Sequence, residues 1–421
     1  LAALSDSAGI GRETERVLDA CASLRRLPGG DEGQRVAAGY GHTLREIVQQ
    51  PLVWADTALR ATEFAGSRLV RLLRESRAEC VALTGSGSSQ FAAELAAPEM
   101  QARLGLPVRA IGSGDILAYG AAALPPGRPL VISYARSGNS PESAAVLRVL
   151  MAEQPEAHYL NVTCNAQGRL VTEHAGDSRV GSLLLHAATH DESLVMTSSF
   201  TSMALATVGL GWAADRGSGE ERMAYADACG RACQQLRAAL PQLADAVAAL
   251  PFGAVERAVF LGAGCQAGAA REAALKLTEM TAGRVVAFND TFLGLRHGPM
   301  AALDAQTLIV GFLPTEPRPR RYAIDLLREL ARKQLGCVTV VVDAGEEGLI
   351  VRGAAAGPDA AGPDAAGPDA ERVPEPFAAL LAVVAGQLLG FFASLHHGLK
   401  PDAPAASGVI TRVVEPFPLY H

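Results

Sequence analysis

The chain has 421 residues, 49% of them hydrophobic and 19% charged, and a formal net charge of −7. That length suits two globular domains, while an acidic balance without a Lys/Arg cluster argues against nucleic acid as a partner. The 7 cysteines are scattered and odd in number, and no apolar run is read as the ~20 residues of a membrane span. A disulfide framework and a membrane protein are thereby disfavoured, and a cytoplasmic protein is expected.

Residues 1–36 read as a loosely ordered or weakly helical, flexible N-terminal extension ending in a Gly/Pro-rich stretch. Acidic residues interrupt its short apolar run, so it is not read as a signal peptide. A first domain is expected over 37–215. Helical periodicity begins at Thr43 and is broken at Pro51. Apolar runs at 81–85, 108–112, 129–135, 158–164 and 182–187 then alternate with helical stretches. Near-continuous apolar strands separated by helices predict an α/β fold with a parallel sheet covered on both faces.

Helices near 197–214 and 221–249 lead into a second domain over 216–421. There 258–262, 284–289, 307–313 and 337–343 read as strands, with helices near 266–282 and 320–334. A last long helix, apolar nearly all round, is expected to pack between domains or subunits. Residues 354–370 carry AAGPD three times over. Pro and Gly at that spacing predict a disordered surface expansion.

One unit is written twice. VALTGSGSSQ begins at Val81, and AVFLGAGCQA begins at Ala258. Each is an apolar strand, then Gly-x-Gly, then an alanine-rich helix, as expected of two related α/β domains. The first copy carries Ser86, Ser88 and Ser89 where the second has Ala263, Cys265 and Gln266. A serine-rich turn at the carboxyl end of a strand suits an anion, because the following helix offers free N–H groups there. It also suits a plain helix cap. A second polar turn, with Arg136, Ser137, Asn139 and Ser140 before Pro141, follows the strand at 129–135. Two such turns on neighbouring strands make a phosphate cradle the better reading, with 197–202 as a further candidate for its rim.

In the second copy, Glu272, Lys276 and Glu279 share one helix face. A surface ladder of ion pairs is one reading. The other is a buried carboxylate acting as general acid and base, because the flanking positions are nearly all Ala and Leu. His297, in the run LGLRHGPM, reads either as an ordinary exposed loop histidine or, because Pro299 stiffens the loop, as one held in a cleft. Cys229 and Cys233 lack a second ligand pair, so no metal site is expected, and no cofactor is implied.

These residues carry a resemblance. GSGSS, the turn RSGNSPES, and ALKLTE followed by HGPM resemble the sugar isomerase (SIS) domain family in tandem. They are similar in particular to the tagatose-6-phosphate aldose/ketose isomerase and galactosamine-6-phosphate deaminase group. The resemblance implies two SIS-type domains, each a parallel sheet flanked by helices. It implies Ser88, Ser89, Ser137, Asn139, Ser140 and Arg136 around a sugar phosphate, Glu279 moving a proton between neighbouring carbons, and Lys276 lining the site. His297 would assist ring opening, in its own or a neighbouring subunit, in a homodimer or larger homo-oligomer. The expected activity is deamination and isomerisation of a 2-amino-2-deoxyhexose 6-phosphate, galactosamine 6-phosphate favoured. Plain aldose–ketose isomerisation and non-catalytic sugar-phosphate sensing are the alternatives.

Overall fold

Two five-stranded sheets frame the computed structural model, which describes residues 6–214, 219–345, 348–354, 372–405 and 407–420. The first sheet comprises β1 (Cys80–Gly85), β2 (Val108–Gly112), β3 (Pro129–Ala135), β4 (His158–Thr163) and β5 (Val180–Leu184). Its order is β2-β1-β3-β4-β5, and all its strands are parallel. The second comprises β6 (Arg257–Leu261), β7 (Val286–Asp290), β8 (Thr307–Phe312), β9 (Val338–Gly345) and β10 (Gly348–Ala354). Its order is β7-β6-β8-β9-β10. Four of these strands are parallel, and β10, which the sequence pattern does not announce, runs antiparallel to β9 with Leu349 opposite Ala344. Every residue of β1, β3 and β8 is buried, as expected of strands covered on both faces. Both sheets reverse their order of addition between the first and third strands. Ligands bind such sheets beyond the strand carboxyl ends at that reversal, here beyond β1 and β3.

Three helices packed at the centre set the position of the acidic cluster. Helix Cys265–Met280 lies between helix Ser88–Leu104 of the first copy and the long helix Glu375–His396. Small residues allow the approach. A Cβ on Gly268 would stand 2.5 Å from the Leu95 nitrogen, and one on Gly386 would stand 2.4 Å from the Ala273 Cβ. The helix bearing Lys276 is thus wedged against the first domain rather than free to swing. Glu375–His396 is long and apolar enough to cross a membrane by composition, which corrects the reading that no run reaches that length. Every residue from Pro376 to Ser394 is buried inside the protein, so this is a core helix.

The N-terminal extension also differs from expectation. Helix Ser7–Ala20 starts at Asp6, whose side chain accepts the Gly9 N–H at 2.7 Å. Ile10, Glu13, Thr14, Val17 and Leu18 are all buried, a stripe at helical spacing. Glu13 is held there by Arg16 at 2.6 Å and Arg237 at 2.9 Å. The expected boundary at 215/216 and the AAGPD expansion beyond Ala354 lie outside the described residues.

Candidate active site

The strand-to-helix turns after β1 and β3 open into one cavity of ≈ 310 Å³. After β1 the chain must turn tightly. A Cβ on Gly85 would stand 2.7 Å from the Ser89 backbone, and Gly87 has φ +55, where side chains are strained. Ser88 and Ser89 therefore open helix Ser88–Leu104, where backbone N–H groups lack intrahelical partners. After β3, Pro141 occupies the first position of helix Pro141–Glu153. The Ser137 Oγ accepts the Asn139 N–H at 3.2 Å, and the Ser140 and Ser143 hydroxyls pair at 2.6 Å. Ser86, Ser88, Ser89, Ser137 and Ser140 all line the cavity. Clustered hydroxyls at helix N-termini suit an anion with several acceptor oxygens.

The opposite wall comes from helix Cys265–Met280. Lys276 is fully buried, donates to Glu279 and stands 3.4 Å from Glu272. Glu279 keeps 26% of its side chain exposed and lines the cavity with Lys276. Glu272 is 0% exposed and neither carboxyl oxygen has a hydrogen bond of good geometry. Burial, reinforced by the Glu279 charge and opposed by Lys276, pushes its pKa up to about 8. Burial works against the Lys276 charge, yet Glu272 and Glu279 together hold its pKa above the ordinary lysine value. A buried ammonium beside two carboxyl groups is a costly arrangement for stability alone. The surface-ladder reading fails for Glu272 and Lys276, because both are buried.

Three expected residues are engaged or placed differently. Arg136 lines the cavity, but its Nη1 donates to the carbonyls of Ser193, Leu194 and Val195 at 3.2, 3.1 and 3.2 Å, and its Nη2 to that of Arg412 at 2.6 Å. The guanidinium is a brace between segments rather than a free fork for phosphate. Asn139 is exposed and does not line the cavity, and its Oδ1 accepts the Arg169 N–H at 3.1 Å. His297 ends the short helix Gly294–His297, is exposed, and does not line its own chain's cavity. The 197–202 turn faces inward instead. Asp191 accepts the N–H groups of Thr197 and Ser199 at 2.8 and 2.9 Å and the hydroxyls of Ser198 and Ser199, each at 2.5 Å.

Several cavity residues escape sequence reasoning. Tyr134, Glu142, Met196 and residues 410–414 line it. Glu142 has a buried Oε2 without a hydrogen bond. Behind the wall lies Glu46, which accepts the N–H groups of Glu192 and Ser193 at 2.5 and 3.1 Å as well as the Ser193 hydroxyl. Burial, then the charge of Asp191, pushes the Glu46 pKa up to about 8. The sequence offers no local signal for this pairing, since 145 positions separate the two carboxylates (191 − 46). Among the described residues, no three His, Cys, Asp or Glu side chains converge as a metal-binding group.

A tandem of doubly wound domains with a serine-lined cavity facing a buried Lys–Glu pair belongs to the sugar-phosphate isomerase class. No family model matches the chain. It is 35% identical over 379 residues to D-galactosamine-6-phosphate deaminase AgaS of Escherichia coli, covering 89% of this chain and 94% of that protein. A Streptomyces coelicolor protein provisionally given the same name is 38% identical over 388 residues, covering 90% and 95%. The crystal structure of tagatose-6-phosphate ketose/aldose isomerase from Escherichia coli superposes with a TM-score of 0.75 at 31% identity, covering 91% of this chain and 98% of that one. The chain belongs to the D-galactosamine-6-phosphate deaminase family. The C-terminal domain of a Francisella tularensis glucosamine-fructose-6-phosphate aminotransferase shares the fold, with a TM-score of 0.67 at 19% identity.

Proposed function

We propose that this chain converts galactosamine 6-phosphate and water to tagatose 6-phosphate and ammonia. The observation that carries the reading is one cavity lined by Ser88, Ser89, Ser137 and Ser140 from the first domain and by Lys276 and Glu279 from the second. The hydroxyls and free helix N–H groups anchor the phosphate, which fixes the reacting carbons near Glu279. Glu279 takes the proton from the second carbon of the open-chain sugar and returns it to the first. The enolamine formed in between becomes a ketimine. Water adds to the ketimine carbon and ammonia leaves, giving the ketose. Lys276 holds the Glu279 carboxylate in place and offsets its charge when it is ionised. The family name and the match to a tagatose-6-phosphate isomerase fold support the choice of sugar. Purified protein should release ammonia from galactosamine 6-phosphate. Ammonia from neither this sugar nor glucosamine 6-phosphate, with ketose formation from an aldose 6-phosphate, would replace deamination by plain isomerisation.

The ring-opening acid and base is His297 of a neighbouring copy. Val286 and Leu293, 64% and 48% exposed, flank the loop that bears it, which supports an apolar contact between subunits there. A mixed oligomer provides the test. A Glu279→Gln chain and a His297→Asn chain, each inactive alone, should regain activity when mixed and reassembled, because some sites then hold both wild-type residues. Activity of the His297→Asn chain alone would place His297 outside the reaction, and no recovery on mixing would place it in its own chain's site. All seven cysteines are free, which supports a reducing, cytoplasmic setting.

A further inference from the structure

One wall of the cavity has no role in proton transfer. Residues 410–414 close it beside Leu194 and Met196. The segment belongs to no helix or strand, and Val409 and Val414 are 81% and 49% exposed. Burial of its own side chains therefore does little to hold it. Two guanidinium groups hold it instead. Arg412 donates through Nε to the Asp191 carbonyl at 2.8 Å, and through Nη2 to the carbonyls of Asp191 and His190. The buried Arg136, rooted at the end of β3, clamps the Arg412 carbonyl and the carbonyls of Ser193 to Val195. Among the described residues neither arginine forms an ion pair with a carboxylate. Burial lowers the Arg136 pKa; the Asp191 charge opposes this, and the Arg412 charge adds to it. Asp191 is the strongest charge favouring the Arg136 cation, and its carboxylate is fixed by hydrogen bonds from Thr197, Ser198 and Ser199 rather than by the arginines.

We propose that Arg412 is a positioning residue that makes the C-terminal segment a wall of the sugar-phosphate site, closed by the anion that the site binds. This inference rests on the sugar-phosphate reading above. A phosphate dianion at the serine turns brings negative charge into the cavity that Arg136 and Arg412 both line, so anion binding and wall closure favour each other. The coupling is reciprocal: a looser wall weakens phosphate binding. The step at Glu279 draws on neither arginine, so the effect falls on binding more than on turnover.

Two measurements on the full chain test it. Hydrogen exchange of the amides in 409–414 should slow when inorganic phosphate is added to the wild-type protein. Arg412→Met, which keeps the stem and removes the donors, should abolish that slowing. It should also raise KM for the sugar phosphate about tenfold or more, the loss of charge-assisted hydrogen bonds, with kcat changed far less. Arg412→Lys should recover part of both effects. Wild-type exchange in 409–414 that does not respond to phosphate overturns the proposal, as does an Arg412→Met protein with unchanged KM and unchanged protection. A chain that turns over no sugar phosphate would sink the deaminase reading, while the exchange measurement on inorganic phosphate would still decide this one.

Discussion

The two copies of the Gly-x-Gly turn share a backbone and differ in what fills it. Gly87 and Gly264 have nearly the same conformation, φ 55 and ψ −127 against φ 59 and ψ −130. Gly85 and Gly262 each pack against the first turn of the following helix, where a Cβ would stand 2.7 and 2.1 Å from it. In the first copy the turn after β1 faces a cavity lined by serines. In the second, Gln266 reaches across to the Leu313 carbonyl at 3.4 Å. Thr315, after β8, gives both its N–H and its hydroxyl to the Glu375 carboxylate, each at 2.6 Å. The chain's own carboxylate thus stands in the second copy where an anion is proposed in the first. The two turns share a loop geometry, and in the second the side chains form an internal fastening. The freed second copy contributes its helix instead.

The largest expected effect tests that contribution. Glu279→Gln is close to isosteric and removes the base, so turnover should fall by ~10²–10⁴, the usual share of a positioned acid–base group. Phosphate-induced thermal stabilisation should persist, because the serine turns are untouched. Turnover at the wild-type rate would remove Glu279 from the chemistry and leave the Lys276 cluster without its proposed role.

The next test falls on the first copy. Replacing Ser88 and Ser89 together by Ala should raise KM by ~10–100-fold, as expected when hydrogen bonds to a charged group worth ~1.5–3 kcal/mol are lost. The change in kcat should be smaller. A kcat loss as deep as that of Glu279→Gln, with KM unchanged, would mean that these serines act in the chemical step.

Much of this division was legible in the chain. Apolar runs located the first nine strands, most plainly β1, β3 and β8, because strands covered on both faces leave little room for polar residues. Ser88, Ser89, Lys276 and Glu279 were legible because each lies beside a turn or on a helix face with a strong local pattern. The helical stripe at Ile10, Val17 and Leu18 was hidden by its polar members Thr14, whose hydroxyl is satisfied locally by the Ile10 carbonyl, and Glu13, which is paired with Arg237, 224 residues away. The bracing contacts of Arg136 were hidden for a similar reason. A guanidinium in a serine turn reads as an anion ligand, and only distant carbonyls at 193–195 and 412 turn it into a brace. The antiparallel β10 is set by pairing with β9, which no single segment encodes.

A third test sharpens the contrast through pH. Glu272 keeps its proton in the folded state up to about 8, whereas the unfolded chain releases it near the ordinary carboxyl value of 4.5. The folded state therefore binds more protons across that window, and its stability falls as pH rises through it. Glu46, also pushed up to about 8, contributes in the same direction. Glu272→Gln should flatten the dependence of melting temperature on pH between about 5 and 8, leaving the share from Glu46. An unchanged slope would mean that Glu272 is ionised in the folded protein across this range, paired with Lys276.

The smallest effect is expected at the fastening of the second copy, and it separates structure from function most cleanly. Glu375→Gln keeps a carbonyl that can accept both Thr315 donors, which share one oxygen, but removes the charge that strengthens both bonds and favours the first turn of helix Glu375–His396. A loss of about 1–2 kcal/mol of stability follows, typical of a weakened charge-assisted hydrogen bond in a half-screened setting. KM and kcat should stay at wild-type values, since Glu375 does not line the cavity. Denaturant midpoints compared with kinetics at one temperature read the two quantities separately. If Glu375→Gln shifted KM as far as the paired serine substitutions, the second copy would still take part in holding substrate. The split between a binding turn and a fastened turn would then be one of degree, with both strand reversals feeding the same anion site.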